Sequence, residues 1–485
     1  MSREAQEAQE AQEAPEGSKM NTSHTNKIAK VCRILGLYIA LDLEWDNLTH
    51  VLLAASFVDS LGRKRVYLNK GSEIKLIEDI IIELLNHDWS IGWNTSTSID
   101  KSNTDSTFTE DNNKRTNDVQ CDFGILYERC EANGMWNPVS KSVTKNRTYY
   151  RINGLKHIDL YQLYSNEVVQ NTIYNGKYRT HKLNDVAHGL LGYGKFKGFS
   201  GADFLKLSIA NRKRYVLKDS ELVMDLSKNK NYELLDAMLA IAEITGLECD
   251  HVCRTRLTTW WGSIFDKMVE NRECPKPFNH FDREHAKRYK GALVLDPKPG
   301  LYYNVKVVDA RSLYPSMGLE YNLSFDTINC KCCKHKRAAR IKIDGKYFEG
   351  CKYISKHKCW ICQRIEGAFA KKLRIFRKEK LEQERLGNTA KALAFKVLAN
   401  GGFGCFGHPK FKYYNPYVAE FVTTLGRFTL TKMQAIAKRL GFELLYGDTD
   451  SLFLSTPLEI NLSLIETQVT KVTIVVVVVT SRLAV

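Results

Sequence analysis

The sequence lacks any apolar run long enough to cross a bilayer as a helix, so no membrane-spanning bundle is expected of it. It also lacks a recognisable secretory leader, which places its 13 cysteines in a reducing compartment as metal ligands rather than disulfides. Acids are in deficit: Asp and Glu number 55 against 71 Lys and Arg, a net charge of +16 and a pI of about 9.1. That imbalance suits a polyanionic partner, because neutralising phosphates releases counterions. Apolar material is ample, 44% of 485 residues, and supports two or three domains with cores of their own.

Against this basic background, clustered acids stand out. Tyr446-Gly447-Asp448-Thr449-Asp450-Ser451 is flanked by Phe442-Glu443-Leu444-Leu445 and Leu452-Phe453-Leu454, which reads as a tight hairpin with carboxylates at its tip. Residues i and i+2 of an extended segment share a face, so Asp448 and Asp450 are expected side by side, an arrangement that asks for a divalent cation. Upstream, Val305-Lys306-Val307-Val308 is a short β-branched run ending in Asp309, followed by Ala310-Arg311-Ser312-Leu313-Tyr314-Pro315-Ser316. An acid at that strand end can meet the hairpin acids across a sheet. Three carboxylates around two cations meet the needs of phosphoryl transfer, one cation activating a hydroxyl and the other stabilising the leaving pyrophosphate.

These two segments resemble motifs A and C of the family B DNA polymerases, and between them Lys396-Val397-Leu398-Ala399-Asn400-Gly401-Gly402-Phe403-Gly404 resembles motif B, usually KxxxNSxYG. Gly401 and Phe403 stand where the family has Ser and Tyr. Thr389 to Ala399 favours helix, with Lys396 and Asn400 on one face, and the glycine run is expected to end that helix early. The resemblance implies that Lys396 and Asn400 hold the incoming nucleotide and that Arg377 of a second basic helix is another phosphate contact, with Arg374 and Lys378 as rivals. It implies too that Tyr314 packs beneath the sugar and excludes a 2'-hydroxyl. Tyr289-Lys290-Gly291-Ala292 is similar to the family's YxGG element, and Val422-Thr423-Thr424-Leu425-Gly426-Arg427 to its palm helix.

The N-terminal half carries a second acid set. Ile39-Ala40-Leu41-Asp42-Leu43-Glu44 runs an apolar strand into Asp-x-Glu, two carboxylates on one face. It resembles the first motif of the proofreading 3'-5' exonucleases attached to these polymerases, with Trp45 where Thr is common. Tyr215-Val216-Leu217-Lys218-Asp219 resembles the third motif, YxxxD, its Tyr and Asp on one helix face. For the second motif Gly92-Trp93-Asn94 fits the start, and the acid is Asp100 or Asp122; the register of Cys121-Asp122-Phe123-Gly124-Ile125-Leu126 favours Asp122. The polar stretch 101–119 reads as a looped insertion, and Asp159 of His157-Ile158-Asp159-Leu160-Tyr161 as structural or peripheral. Asp42, Glu44, Asp122 and Asp219 together are four acids for two cations, with Tyr215 positioning the attacking water.

Cys330 and Cys333, then Cys359 and Cys362, form two CxxC pairs that fit a structural four-thiolate zinc site, with Cys332, His335, Cys351 and His357 as competing ligands.

The expected fold class is α/β and α+β, multidomain: an RNase H-like exonuclease domain, then a polymerase palm of antiparallel sheet with helices, and helical fingers. The boundaries are a disordered leader at 1–30, the exonuclease-like domain at 31–230, a linker at 231–300, palm at 301–329, fingers with zinc insertion and motif B at 330–404, palm again at 405–456, and an atypical tail at 457–485. That tail includes Thr473-Ile474-Val475-Val476-Val477-Val478-Val479-Thr480, read as a low-complexity β-prone run rather than a designed element, and leaves no length for a thumb. The resemblance implies Mg2+ at both acid centres, DNA primer-template and dNTPs as partners, a sliding clamp as a further candidate, and a cytoplasmic place, nucleoid-associated in a prokaryote. An exonuclease alone and a non-catalytic DNA-binding remnant are the competing readings.

Overall fold

The computed structural model describes residues 38–99, 121–144, 147–196, 201–277, 283, 286, 289–329, 342–343, 346–347, 361–362, 365–455 and 476–484. The expected leader, the polar insertion at 101–119 with Asp100, and all the candidate zinc ligands except Cys362 lie outside them. The chain forms two compact units, one holding the residues through Met238 with Cys249–Arg254, the other Leu239–Glu248 and everything from Thr255 onward.

The first unit is built on β1 (Tyr38–Trp45), β2 (Leu52–Asp59), β3 (Lys64–Leu68) and β4 (Trp89–Gly92), with β5 (Thr97–Ile99), β6 (Val139–Thr144) and β7 (Arg147–Ile152) in a side sheet and β8 (Lys156–Asp159) returning to the main one. The main sheet has the order β3-β2-β1-β4-β8. Its first three strands are antiparallel, while β4 and β8 run parallel to β1, which is the mixed arrangement expected of an RNase H-like layer. Helix α1 (Glu73–Leu85) buries Leu76, Ile77, Ile80, Ile81 and Leu84, the spacing of one helix face, with Ser72 capping its start. Together with Phe123, Ile125 and Leu126 of α2 (Asp122–Ala132) these residues cover Leu41, Leu43 and Phe57. Glu73 accepts from both Arg129 Nε (2.8 Å) and Nη2 (2.6 Å), which pins α1 to α2.

Short helices α3 (Leu160–Tyr164) and α4 (Leu183–Leu191) lead to the long α5 (Ile209–Thr245), followed by α6 (Cys249–Arg254). Buried hydroxyls seat α5 on the sheet: Ser56 Oγ donates to the Val216 carbonyl (2.8 Å) and lies 2.7 Å from Ser220 Oγ, while Tyr38 Oη meets Ser227 Oγ at 3.2 Å.

The second unit contains α7 (Leu257–Glu270), β9 (Leu301–Ala310), α8 (Leu313–Glu320), a small hairpin of β10 (Lys342–Ile343) and β11 (Lys346–Tyr347), α9 (Ala368–Arg385), α10 (Thr389–Phe406), α11 (Pro416–Arg439), β12 (Glu443–Asp448), β13 (Ser451–Ser455) and β14 (Val476–Ala484). Its sheet is antiparallel throughout, in the order β12-β13-β9-β14. The helices share an aromatic core in which Trp261 meets Phe369 at 5.1 Å and Phe376 at 5.5 Å, and Phe265 meets Tyr413 at 5.0 Å.

Three expectations change. Residues 231–300 are not a plain linker: they carry the end of α5, then α6 and α7, and Leu295 and Lys298 donate backbone hydrogen bonds to Gly447 and Leu445 of β12. The valine run is not a stray end either, since Val476–Ala484 pairs along β9 with Val477 opposite Asp309; a β-prone sequence here finds a free strand edge. Finally, the glycine run does not terminate its helix. Asn388 caps α10, which passes through Gly401, Gly402 and Gly404 to Phe406. The reason is close packing: a Cβ at Gly402 would lie 2.7 Å from the buried Trp261 ring, whose Nε1 donates to the Leu398 carbonyl at 3.0 Å.

That contact makes a test. Gly402→Ala gains about 1 kcal/mol of helix propensity but overpacks a hydrogen-bonded, fully buried indole, at a cost of about 1–3 kcal/mol. A lower urea midpoint with unchanged m-value is expected, and a stabilised variant would contradict the packing.

Two candidate acid centres and a basic cavity

The first centre forms where β1 meets α5 and α2. β1 pairs with β2 from Ile39 to Trp45 and with β4 only through Ala40, so Asp42 and Glu44 lie in its C-terminal half, beyond the β4 ladder. Asp219 comes from α5, and carboxylate oxygens of Asp42, Glu44 and Asp219 all lie within 4.8 Å of one another. Asp122, at the first turn of α2, takes a hydrogen bond from the Leu43 backbone and adds its charge to the same cluster. Of the two acids left open for the second motif, Asp122 is the one found here, and Asp100 is outside the described residues.

Burial and mutual repulsion dominate the electrostatics. The Asp42 and Asp122 carboxyls are raised well above the ordinary range by loss of water and by their acidic neighbours. Glu44 is pushed from 4.5 up to about 7 by burial and then by Asp219. Asp42 Oδ2 is buried without a hydrogen-bond partner. An orphaned carboxylate oxygen among other buried acids is what a hard divalent cation satisfies, so this donor set fits such an ion.

Tyr215, one turn before Asp219 on α5, has its phenol raised to about 12 by burial and then by the charges of Glu44 and Asp219. The sequence reading missed Lys195. Its ammonium pairs with Asp219, and its backbone N–H donates to Asn184 Oδ1 at 2.9 Å. Gly194 lets that loop lie close, for a Cβ there would fall 2.3 Å from Asn184 Oδ1. No motif word marked this lysine; only Gly-Tyr-Gly-Lys, a turn before a cation, hints at it.

The neighbouring polar residues are structural. Asp159 accepts from the backbone N–H groups of Asn94 (2.9 Å), Ser96 (3.2 Å) and Tyr161 (3.1 Å), so it fastens the β4 end and α3, as expected of a peripheral acid. His157 is partly buried, held neutral with its pKa lowered to about 3 by loss of water, and bonded to Ser90 Oγ at 2.8 Å.

The second centre lies at the end of β9. Asp309 is paired with Ser451, and the Ala310 N–H donates to the Asp450 carbonyl at 2.8 Å, so the two acids are neighbours across the sheet. Burial first, and Asp309 second, push Asp450 up to about 6; burial raises Asp309. The expected strand geometry for Asp448 and Asp450 is corrected here. Thr449 takes a left-handed φ of 55° and β12 ends at Asp448, so the pair flanks a tight turn instead of sharing a strand face. Asp448 accepts from Thr449 Oγ1 (2.8 Å) and Tyr446 Oη (3.3 Å) and so shapes the turn.

Beside this centre, in the same unit, is a cavity of about 230 Å³ lined by α8, α9 and α10. Arg377, Lys396 and Asn400 line it together, and Arg311 and Lys380 add further cations that sequence reading did not select. The rival Arg374 is instead engaged by Glu366 at 2.8 and 2.7 Å, and Lys378 is not in the lining. Clustered guanidinium and ammonium groups of this kind can hold a polyphosphate. Tyr314 does not line the cavity. It turns toward Phe403, ring centroids 4.7 Å apart, and burial followed by the Asp450 charge raises its phenol to about 12. Arg427 donates to the Lys290 carbonyl at 2.6 Å and Thr423 Oγ1 does so at 2.9 Å, fastening the Tyr289–Ala292 segment to α11.

Of the four favoured zinc ligands, Cys362 is buried, with its N–H on the Thr327 carbonyl (2.8 Å) and its carbonyl receiving Asn322 Nδ2 (2.8 Å). Cys330, Cys333 and Cys359 are outside the described residues.

Comparison with known proteins points the same way. The profile of DNA polymerase family B matches residues 207–472. DNA polymerase 1 of Sulfurisphaera ohwakuensis is 32% identical over 322 residues, which is 62% of this chain and 36% of that protein. DNA polymerase 1 of Sulfolobus acidocaldarius is 33% identical over a stretch of the same length, again 62% of this chain and 36% of the relative. The chain therefore spans little more than a third of these curated relatives. In structure it resembles the family B DNA polymerase from Pyrobaculum calidifontis, with a TM-score of 0.65, 23% identity, and coverage of 91% of this chain and 56% of that one.

The first centre predicts a pH-dependent response to cations. Acids with raised folded pKa values stabilise the fold only while protonated, so stability falls as pH rises, for Glu44 between about 4.5 and 7. A divalent cation offsets that repulsion. The rise in melting temperature with added Mg2+ or Mn2+ should be larger at pH 8 than at pH 5.5 and should shrink in Asp42→Asn; an equal rise at both pH values would count against a cation at these acids.

Proposed function

The chain belongs to DNA polymerase family B, and from its two acid centres we propose template-directed DNA synthesis from dNTPs with a linked 3'-5' exonuclease. The observation that carries the synthetic half is the convergence of Asp309 and Asp450 across β9 and β13, in one unit with a cavity rimmed by Arg377, Lys396 and Asn400. In this reading Asp309 and Asp450 hold Mg2+, Asp448 holds the turn, and the cavity cations grip the triphosphate. Tyr314 stands beneath the sugar. Asp42, Glu44, Asp122 and Asp219 hold the second pair of cations, Lys195 orients Asp219, and the Tyr215 phenol positions a water against the scissile phosphate. The bound cations supply the positive charge that makes hydroxyl attack on phosphorus feasible at neutral pH and offsets charge on the departing oxygen.

A net charge of +16 supports a nucleic-acid partner. The two CxxC pairs supply a structural zinc site, of which Cys362 is the anchored member.

A labelled primer-template with Mg2+ and dNTPs tests both halves. Extension and, without dNTPs, shortening are expected of the parent. Asp450→Ala should lower extension by about a thousandfold or more and spare shortening, and Asp42→Ala the reverse, because each removes charge at one centre only. Shortening without extension would leave an exonuclease alone, and retention of DNA without either reaction would defeat the proposal. Metal analysis should give one zinc per chain, lost in a Cys359→Ser, Cys362→Ser variant; a parent without stoichiometric zinc would remove that site.

A further inference from the structure

The Tyr314 ring has a floor. In α11, Gly426 is buried, and a Cβ built on it would lie 2.6 Å from Tyr314 Cε1 and 3.2 Å from Cδ1, with Leu313 Cδ2 at 3.5 Å. The ring therefore rests on bare helix backbone. Its other aromatic contact is edge-on with Phe403 of α10, at 4.7 Å and 66° between planes. Carbon atoms settle at about 3.5–4.0 Å, so a single methyl at 426 displaces the ring by about 1 Å. Helix propensity alone would favour alanine here. The glycine is explained by the ring that occupies the space.

We propose that Gly426 is a specificity-determining positioning residue: by letting Tyr314 seat against α11, it fixes the depth of the ring that separates deoxyribonucleotides from ribonucleotides. The role is indirect, since Gly426 acts only through Tyr314. It rests on the reading of Asp309, Asp450 and the basic cavity as the nucleotide site, and it adds to that reading a residue on a different helix with no polar group to offer.

The consequence is directional. A displaced ring meets the sugar at a different height, so Gly426→Ala should change the ratio of kcat/KM for dNTP over rNTP by about tenfold, chiefly through KM, because triphosphate grip and metal-holding acids are untouched. In a Tyr314→Ala background the added methyl has room and nothing to push, so the same substitution should leave the ratio unchanged. A purely structural role of Gly426 would instead lower kcat for both sugars alike and would do so in both backgrounds.

The experiment is a four-member cycle of parent, Gly426→Ala, Tyr314→Ala and the double variant, read as single-nucleotide incorporation with matched dNTP and rNTP, with melting temperatures alongside. A shifted ratio in the single variant that vanishes in the double supports the proposal. A parental ratio in Gly426→Ala, or equal effects in both backgrounds, overturns it. Should Gly426→Ala melt too low to assay, a double variant that regains the melting temperature of Tyr314→Ala supports the seating, and one that does not overturns it. A parent that extends no primer defeats the nucleotide-site reading itself, a separate result from any outcome of the cycle.

Discussion

Carboxylates held together out of water are the constraint around which this protein is arranged. Isolated in a protein interior, one ionised carboxyl is expensive; several side by side repel as well. The fold nevertheless buries Asp122 and Asp219 and partly buries Asp42 and Glu44 in one unit, and partly buries Asp309 beside Asp450 in the other. Such crowding requires a rigid frame. In the first unit it is supplied by β1, paired along its length with β2 and at its start with β4, and by a long helix bonded to the sheet through Ser56, Ser220 and Ser227. In the second, β9 is likewise paired on both sides, by β13 and β14, so neither acid-bearing strand can slide to relieve the repulsion.

Glycine does the complementary work in the helices. Gly402 admits the Trp261 indole, Gly318 admits Leu373, and Gly426 admits Tyr314, in each case where a Cβ would fall 2.6 to 2.8 Å from the neighbour. Each of these glycines weakens its own helix. Close contact with a large aromatic or aliphatic side chain compensates, and it makes the positions of Tyr314 and of the α10 face carrying Lys396 and Asn400 matters of packing instead of loop geometry. A site on packed helices keeps its spacing better than one on loops.

Much of the frame was legible in the sequence because local chemistry and global fold agree there. An apolar strand ending in Asp-x-Glu, a β-branched run ending in Asp309 and a hairpin word around Asp448 each carry their own signal, and in the second unit the ladder registers bring the last two together as the words imply. What escaped was whatever depends on packing between distant segments. Gly401, Gly402 and Gly404 read as a helix stop, since the indole packed on Gly402 is 141 positions away in sequence. Lys195 was invisible for a similar reason, its partner Asp219 being contributed by another element. The valine run read as a stray end because nothing local says that β9 has an open edge. The strand rule for i and i+2 also failed at Asp448 and Asp450, where a left-handed Thr449 replaces extended backbone.

The two centres solve the same electrostatic problem differently, and the difference follows from their depth. The first gathers four acids, Asp122 and Asp219 buried and Asp42 and Glu44 partly so, and brings in one cation, Lys195, whose attraction lowers the cost of ionising Asp219. With Glu44 pushed up to about 7 and Asp42 and Asp122 raised well above the ordinary range, the centre holds protons near neutrality that a bound cation would have to displace. The second centre has fewer close acids and more water. Asp450 sits at about 6, so it is mostly ionised at neutral pH and needs no lysine to remain so. A cation at the second centre would therefore meet an Asp450 that is mostly ionised, whereas one at the first would compete with protons on Asp42 and Glu44 as well as with the Lys195 ammonium. One chain thus holds two acid clusters of unlike proton affinity, and depth of burial, more than the number of carboxyls, sets them apart.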